Sequence, residues 1–230
     1  ISEEHVPEID NSGKGSITIN PPDNKTIEPV VIIDTTIRDS KSNGETTGVY
    51  IGPKVQSVTI DNCEFISNRH YKYGWGSQLL CQSPGIEISN TIFDFESTSY
   101  YGRHVYIKQR STMLISNCQF LNSKCQGYEN ARGGGIYIVT ETAGGWDNIN
   151  QSLSLLSCTF SNCNAHNGAC FYAKDLVCSP TLQGNTIKNN FNTSVYKFTI
   201  IFISDNSYTT VSNCTFENNA FDPTTQENNT

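Results

Sequence analysis

Several features that would point to a familiar functional class are missing from this sequence. No run approaches eighteen apolar residues, so no segment is long enough to cross a membrane as a helix. Acidic residues outnumber basic ones, since the chain has 22 Asp and Glu but only 15 Lys and Arg, which gives a net charge of -7. Nucleic acids and anionic membranes select basic surfaces, so neither is expected as a partner. No Cys-x-x-Cys pair occurs, and we predict no metal site and no cofactor.

What the sequence does contain is a motif that recurs at a nearly constant interval. A typical copy is Asn117-Cys118-Gln119-Phe120, in which a polar residue and a small residue precede an apolar anchor. Successive anchors are separated by 28, 28, 27, 40, 27 and 29 residues, and the long interval holds an insertion at 140–151. A fixed period of this size is typical of a solenoid, in which no repeat buries its apolar face alone. The anchors are Ile37, Phe65, Phe93, Phe120, Phe160, a residue near Ile187, and Phe216.

The segments between turns alternate apolar and polar residues, as in Val58-Thr59-Ile60-Asp61, and lack the i, i+3, i+4 pattern of helices. Short alternating strands at a regular period predict an all-β fold. We predict a right-handed, single-stranded parallel β-helix of about seven coils. Residues 1–29 are predicted to form an N-terminal cap, 30–220 the β-helix, and 221–230 a flexible C-terminal tail.

Stacking of the coils predicts the role of each repeated position. Equivalent residues of successive coils should lie about 4.8 Å apart, so the anchors, Phe216 included, should form one buried stack. A polar column should form an amide ladder inside a bend, each amide bonding a carbonyl of the next coil. A column of small residues, in which cysteine packs as a small hydrophobe, should lie beside it. The ladder comprises Asn62, Asn90, Asn117, Ser157, Asn185 and Asn213, and the small column Cys63, Thr91, Cys118, Cys158, Thr186 and Cys214.

Cysteines and glycosylation sequons favour a secreted or cell-surface protein. The chain has nine cysteines and five Asn-x-Ser/Thr sequons. Cys63 and Cys118 should lie two coils apart, beyond the reach of a disulfide. The candidate disulfides are Cys118–Cys158, Cys125–Cys163 and Cys170–Cys178.

Glycans are expected only where a sequon lies outside the predicted ladder. We therefore expect modification at one or more of Asn24, Asn150 and Asn192. Asn213 also begins a sequon, but we expect no glycan there because its amide belongs to the predicted ladder.

Aromatic and basic residues cluster in loops that share one phase of the repeat. Tyr and Trp side chains can stack on sugar rings or anchor a protein partner. Equally, Tyr71, Tyr73 and Trp75 can cover the end of their own coil, and exposure of the Trp75 ring distinguishes the two. Expected partners are surface glycans or other protein subunits, with self-assembly as one form of the latter. The predicted binding residues are Tyr71, Tyr73, Trp75, Tyr100, Tyr101, Arg103, His104 and Trp146.

Two short motifs connect these repeats to a known family. Phe65-Ile66-Ser67-Asn68 and Phe216-Glu217-Asn218-Asn219 are Phe-x-x-Asn motifs, and Gly133-Gly134-Gly135-Ile136 is a Gly-Gly-x-Ile motif. The combination resembles the repeats of the polymorphic outer-membrane proteins of chlamydiae and of related surface proteins of trichomonad-type protists. The resemblance implies an extracellular adhesive or structural β-helix. A subunit of a cell-surface fibre is one form of this hypothesis.

Catalysis is the alternative, because parallel β-helices also include pectate lyases and polygalacturonases. Arg103, His104 and Lys108 could supply bases, but no Asp cluster lies within one repeat of them. The sequence has no Asp-Asp pair, no Gly-x-Ser-x-Gly elbow and no phosphate-binding loop. We therefore expect a non-enzymatic module, with a lyase, a glycoside hydrolase or a carbohydrate-binding module as the alternative.

Overall fold

A computed structural model shows a solenoid of short strands. It describes residues 17–21, 28–42, 46–70, 77–95, 103–109, 112–125, 132–141, 151–174, 178–192, 199–204 and 208–221. The secondary structure within these ranges consists of strands and turns, without a helix. Each strand in these ranges pairs in parallel with its equivalent in an adjacent turn, and strands inside a sheet pair on both sides, as in the pairing of Phe93 with Phe65 and Phe120. The predicted parallel β-helix is therefore confirmed.

Three seven-stranded sheets, named A, B and C, form the walls. Sheet A contains Ile17–Ile19, Thr46–Ile51, Ser77–Cys81, Arg103–Gln109, Ile136–Glu141, Phe171–Lys174 and Ile201–Ile203. Sheet B contains Val30–Ile33, Val58–Asp61, Gly85–Ser89, Thr112–Ser116, Ser152–Leu156, Thr181–Gln183 and Thr210–Ser212. Sheet C contains Thr36–Arg38, Glu64–Ile66, Ile92–Asp94, Gln119–Leu121, Thr159–Ser161, Thr186–Lys188 and Thr215–Glu217.

Two small sheets lie between sheets C and A. One contains Lys124–Cys125, Asn164–Ala165, Phe191–Asn192 and Ala220–Phe221, and the other pairs Lys41–Ser42 with Arg69–His70. Each turn of the chain passes through sheets B, C and A in that order. Six turns contribute to all three large sheets, while one strand of sheet A precedes them and strands of sheets B and C follow. The predicted number of about seven coils is slightly too high, because the ends form incomplete turns.

The anchors of sheet C form the predicted aromatic stack. Phe65, Phe93, Phe120 and Phe160 are buried, and consecutive ring centroids lie 4.7, 5.2 and 4.7 Å apart. The rings are nearly parallel, with interplanar angles of 18°, 3° and 12°. This spacing follows from the parallel strands, because in-register residues must repeat at the separation of the strands.

Two exceptions show what the stack requires. Phe216 is 55% exposed, contrary to prediction, because it lies in the last turn and no described turn covers it. Gly135 lies against the stack, where an added Cβ would be 2.8 Å from a ring carbon of Phe160 and 2.5 Å from the Cys170 carbonyl oxygen. Glycine is therefore required there to let the backbone approach the ring.

The predicted amide ladder faces the solvent rather than the core. Asn62, Asn90, Asn117, Ser157 and Asn213 are exposed and have φ between 49° and 53°. Asn and Asp tolerate this left-handed conformation better than most residues, so they form the sharp bend between sheets B and C. Their side chains bond along the surface, as from Asn62 Nδ2 to Asp34 Oδ1 at 2.6 Å.

The internal ladder comes from a different set of asparagines. Asn68 Nδ2 donates to the Ile37 carbonyl at 2.8 Å, and Asn190 Nδ2 donates to the Phe160 carbonyl at 3.1 Å. Asn185 also belongs here, because Gly184 takes the left-handed bend in its turn. Asn185 therefore replaces Thr186 in the small-residue column, and its Nδ2 donates to the Leu155 carbonyl at 2.9 Å.

Candidate functional site

The outer face of sheet A carries an aromatic column that is the main candidate site. Alternation along the strands turns one residue of each turn outward between two buried apolar neighbours, as Tyr106 lies between Val105 and Ile107. The pairing register places these outward residues one above another. The aromatic column comprises Tyr50, Leu80, Tyr106, Tyr137, Tyr172 and Phe202.

The rings of the aromatic column are in contact from turn to turn. The centroid distances are 4.9 Å from Tyr106 to Tyr137, 5.4 Å from Tyr137 to Tyr172 and 4.6 Å from Tyr172 to Phe202. Tyr106 and Tyr172 are nearly buried although they lie outside the core, whereas Tyr50, Tyr137 and Phe202 are half-buried. Tyr137 and Phe202 therefore provide the ring surface that a partner could reach.

Cationic side chains lie over the same rings. The Arg103 guanidinium carbon is 4.3 Å from the Tyr137 centroid, and the Arg132 guanidinium carbon is 5.1 Å from the Tyr172 centroid. Lys108 Nζ is 5.4 Å from the Tyr106 centroid. Cations attract the negative face of an aromatic ring. This face is thus locally basic and aromatic in a chain whose net charge is -7.

Arg103 packs against the rings of this face but is itself buried, at 3% exposure, so the structure does not support its predicted role in binding a partner. Its neighbour His104 does not reach this face. Arg103 Nε donates to the Arg132 carbonyl at 2.7 Å, which ties two turns together. His104 is fully buried, and its ring stacks on Phe95 with centroids 4.9 Å apart. The structure does not support the prediction that His104 binds a partner, because its side chain is enclosed in the core.

Burial keeps His104 neutral, and a chain of buried amides sets its tautomer. Asn68 Nδ2 donates to Gln78 Oε1 at 2.8 Å, and Gln78 Nε2 lies 2.9 Å from His104 Nδ1. Because the amide nitrogen of Gln78 donates, Nδ1 must accept and the ring hydrogen belongs on Nε2. Burial lowers the pKa of His104 to about 3, although the Leu121 backbone acts in the opposite direction.

The thiols of the small-residue column serve as packing groups and weak donors. Cys118 Sγ lies 3.6 Å from the Ile88 carbonyl, and Cys158 Sγ lies 3.7 Å from the Ile115 carbonyl. The contact with Cys118 and, after it, burial raise the pKa of Cys158. Burial raises the pKa of Cys81 to about 12. Cys158 in the column and Cys81 in sheet A are therefore protonated near neutral pH.

The predicted disulfides have different outcomes. Cys118 and Cys158 do occupy adjacent turns, and their thiols interact without a bond between the sulfurs. Cys163, Cys170 and Cys178 are also free thiols. Cys163 contacts Cys170. This differs from the prediction, which paired Cys163 with Cys125 and Cys170 with Cys178. Backbone pairing places Cys125 opposite Ala165, two residues beyond Cys163, and so contradicts the Cys125–Cys163 pair.

The sequons also differ from expectation. Asn192 is fully buried and its Nδ2 donates to the Thr199 carbonyl at 3.0 Å, so this site cannot hold a glycan in the folded protein. Asn213 is exposed at the outer bend and is the accessible sequon of the two. The remaining predicted site residues lie outside the described residues: Asn24, Asn150, Tyr71, Tyr73, Trp75, Tyr100, Tyr101 and Trp146.

Expression through a eukaryotic secretory pathway should therefore place a glycan on Asn213 and none on Asn192. Enzymatic deglycosylation leaves an Asp in place of each modified Asn, and peptide mass spectrometry reads the occupancy of both sites. Asn213→Gln provides the control, since it should remove the Asn213 signal without changing secretion. Substantial occupancy of Asn192 in folded, secreted protein would contradict the burial of its amide.

Comparison with known proteins agrees with this architecture. A family model described as a right handed beta helix region matches residues 15–199. The chain belongs to the right-handed β-helix family. No curated protein and no solved structure matches it. The family match supports the β-helix fold, and the likeness to polymorphic outer-membrane repeats stays a resemblance carried by the short motifs.

Within this β-helix, the described residues contain no group of three or more His, Cys, Asp or Glu that could hold a metal ion. The same part of the chain has no helix that is both long and apolar enough to cross a membrane.

The sequence analysis placed the candidate site in the loop clusters and did not identify the aromatic column. A signal for the column was present, because Val49-Tyr50-Ile51, Val105-Tyr106-Ile107 and Ile136-Tyr137-Ile138 repeat one apolar–aromatic–apolar pattern.

Proposed function

We propose that this β-helix is a non-enzymatic module of the cell exterior that serves adhesion or structure. The observation that carries the proposal is the use of its reactive side chains within the solenoid. His104 is neutral and buried among Phe rings, and the thiols of Cys118 and Cys158 face carbonyls of the preceding turn. Side chains committed to joining one turn to the next are not available to bind and transform a substrate.

The aromatic column is the surface through which such a module would adhere. Tyr and Arg are enriched among the residues that dominate binding energy in interfaces. Tyr137 and Phe202 expose part of their rings, and the half-buried Arg132 adds positive charge over the neighbouring Tyr172 ring. This chemistry suits the stacking of sugar rings or the docking of a second protein, and surface glycans are the partner to be tested first.

Five sequons support the extracellular part of the proposal, and the exposed Asn213 is one of them. Polysaccharide cleavage is the alternative function. It predicts release of shortened products in addition to binding, so one experiment distinguishes adhesion from catalysis.

The test is to incubate the purified chain with a panel of immobilised neutral and acidic polysaccharides. Binding and release of unsaturated or reducing-end oligosaccharides are both measured. We expect saturable binding to at least one polysaccharide without release of product. Tyr137→Ala should weaken the binding by about tenfold or more, as truncation of an interface hot spot does.

Leu114→Ala is the matched control, since Leu114 is a half-buried outward side chain on sheet B. It should leave binding unchanged. Equal loss in both variants would mean that the aromatic column is not the binding surface. Release of oligosaccharides above the level of a control without the protein would contradict the adhesive proposal and favour the catalytic one.

A further inference from the structure

A column of inward side chains lies at the corner that follows sheet C, three residues after each anchor of that sheet. Its asparagines donate to carbonyls of the preceding turn, as Asn190 does to Phe160. Cys163 takes an equivalent place, because its Sγ lies 3.3 Å from the Phe120 carbonyl oxygen. This corner column comprises Ser40, Asn68, Ser123, Cys163, Asn190 and Asn219.

A second column lies where the chain enters sheet A, directly before the strand positions that pair Leu79 with Val105. This entry column comprises Gly48, Gln78, His104, Gly135, Cys170 and Ile200. The two columns meet within a turn, since Asn68 Nδ2 donates to Gln78 Oε1 at 2.8 Å.

One turn has a cysteine in both columns. Cys163 and Cys170 occupy the places that Asn68 and Gln78 hold in an earlier turn. Both cysteines are fully buried, and their side chains are in hydrogen-bond contact. Six residues separate them, compared with nine between Asn68 and Gln78, so the shorter connection brings the shorter side chains together. No other described member of either column is a cysteine.

Packing alone does not account for thiols at these two positions. Ser123, the equivalent of Cys163 one turn earlier, is buried almost as completely, so a hydroxymethyl side chain also fits the corner column. Gly135 and Ile200 adjoin Cys170 in the entry column, which therefore accepts side chains of very different size. Two thiols in contact are the arrangement that a disulfide needs, because its sulfur atoms must come from neighbouring side chains.

We propose that Cys163 and Cys170 form a disulfide that closes the corner of this turn. The oxidant is a small disulfide such as oxidised glutathione, which reacts by thiol–disulfide exchange. One cysteine thiolate attacks the oxidant, releases one thiol and forms a mixed disulfide. The second cysteine thiolate attacks the sulfur of the first cysteine and releases the other thiol. The two cysteines thereby lose two electrons and two protons, and the oxidant gains them as two thiols.

The exchange has to precede the covering of this turn. The Cys163 backbone N–H donates to Asn190 Oδ1 at 2.8 Å, so the following turn packs directly on the pair. Exchange requires access of the attacking thiolate to the sulfur, and burial prevents that access in the folded chain. The inference goes beyond the proposed function and shares with it only the oxidising environment of the cell exterior.

Refolding of the reduced full chain in a mixture of reduced and oxidised glutathione tests the pairing. The buffer supplies the oxidant, so the result depends neither on glycan binding nor on the location of the protein. Free thiols are then alkylated in denaturant, and trypsin releases 133–174 with Cys158, Cys163 and Cys170. We expect this peptide to carry a single alkyl group, on Cys158. Hydroxylamine cleavage at Asn167–Gly168 should leave its two halves joined until a reductant is added.

Oxidation should also raise the midpoint of thermal unfolding by roughly 5–10 °C, since the bond closes a short loop in the unfolded chain. Cys163→Ser should abolish the difference between protein refolded with and without the oxidant. Cys118→Ser is the matched control and should retain the difference, because it also replaces a buried cysteine beside a carbonyl of the preceding turn.

The peptide map of the parent chain decides the inference even where a variant fails to fold. Three alkyl groups on 133–174 from a chain with the circular dichroism of a β-helix would overturn it. A link from Cys170 to Cys178 in place of Cys163 would also overturn it. Loss of glycan binding with the Cys163–Cys170 bond present would count against the proposed function alone.

Discussion

Replacing Phe120 by alanine is expected to lower the free energy of unfolding by about 3–5 kcal/mol. Phe120 lies in the middle of the aromatic stack, between Phe93 and Phe160, and its side chain is fully buried. The substitution removes the contacts of the ring with both neighbours and leaves a cavity that adjoining turns cannot close. Their separation is fixed by the hydrogen bonds between parallel strands. Urea denaturation monitored by circular dichroism measures the loss.

The matched control is Phe216→Ala, which changes the same residue type in the same column. Phe216 is 55% exposed, so its truncation should cost no more than about 1 kcal/mol. Comparable losses in the two variants would mean that burial in the stack does not determine the stability of the β-helix. A loss below 1 kcal/mol for Phe120→Ala would contradict the position of that ring in the core.

The second large effect is a pH dependence of stability that originates in His104. Its pKa is about 3 in the folded protein, compared with 6.5 for an unperturbed histidine. Between these values the unfolded chain binds a proton that the folded chain does not. The contribution of His104 to the free energy of unfolding is therefore fully present above pH 6.5 and is lost as the pH falls towards 3. The total is on the order of 5 kcal/mol.

The physical cause is the environment of the ring. Phe95 stacks against His104 and the Gln78 amide donates to Nδ1, so a proton on Nδ1 would be buried and would face another donor. Denaturation curves collected between about pH 4 and pH 7 give the slope of stability against pH.

His104→Gln should make that slope shallower, because glutamine does not titrate in this range. His166→Gln is the comparison variant, since it removes a histidine that is half-buried rather than enclosed in the core. The comparison uses slopes rather than stabilities at one pH, because His104→Gln also alters core packing. An unchanged slope in His104→Gln would show that His104 is not buried as a neutral ring.

The sequence by itself was sufficient to establish the fold and the phase of its core. The anchors Phe65, Phe93, Phe120 and Phe160 recur at one position of a repeat, and parallel strands place equal positions above one another. This relation depends only on the period and on alternation along each strand, and both are properties of the linear sequence. For the same reason, the adjacency of Cys118 and Cys158 was predictable.

Tertiary structure decided which side of a bend each polar residue occupies. Asn62 lies in a left-handed bend on the surface and Asn68 lies in an internal ladder, although both are asparagines beside a turn. Asparagine is suited to either role, because it tolerates positive φ and its amide also satisfies buried backbone groups. The residue type therefore cannot distinguish the two positions, and the path of the backbone through the bend does.

Burial was likewise decided by what lies above and below each residue. His104, predicted to bind a partner, is enclosed by Phe95 and Gln78, and Asn192 is enclosed where its amide meets the Thr199 carbonyl. Phe216 carries the same motif as Phe120 and yet is exposed. In a solenoid each turn is covered only by its neighbours. The exposure of a side chain therefore depends on the adjacent turns, which the local motif does not encode.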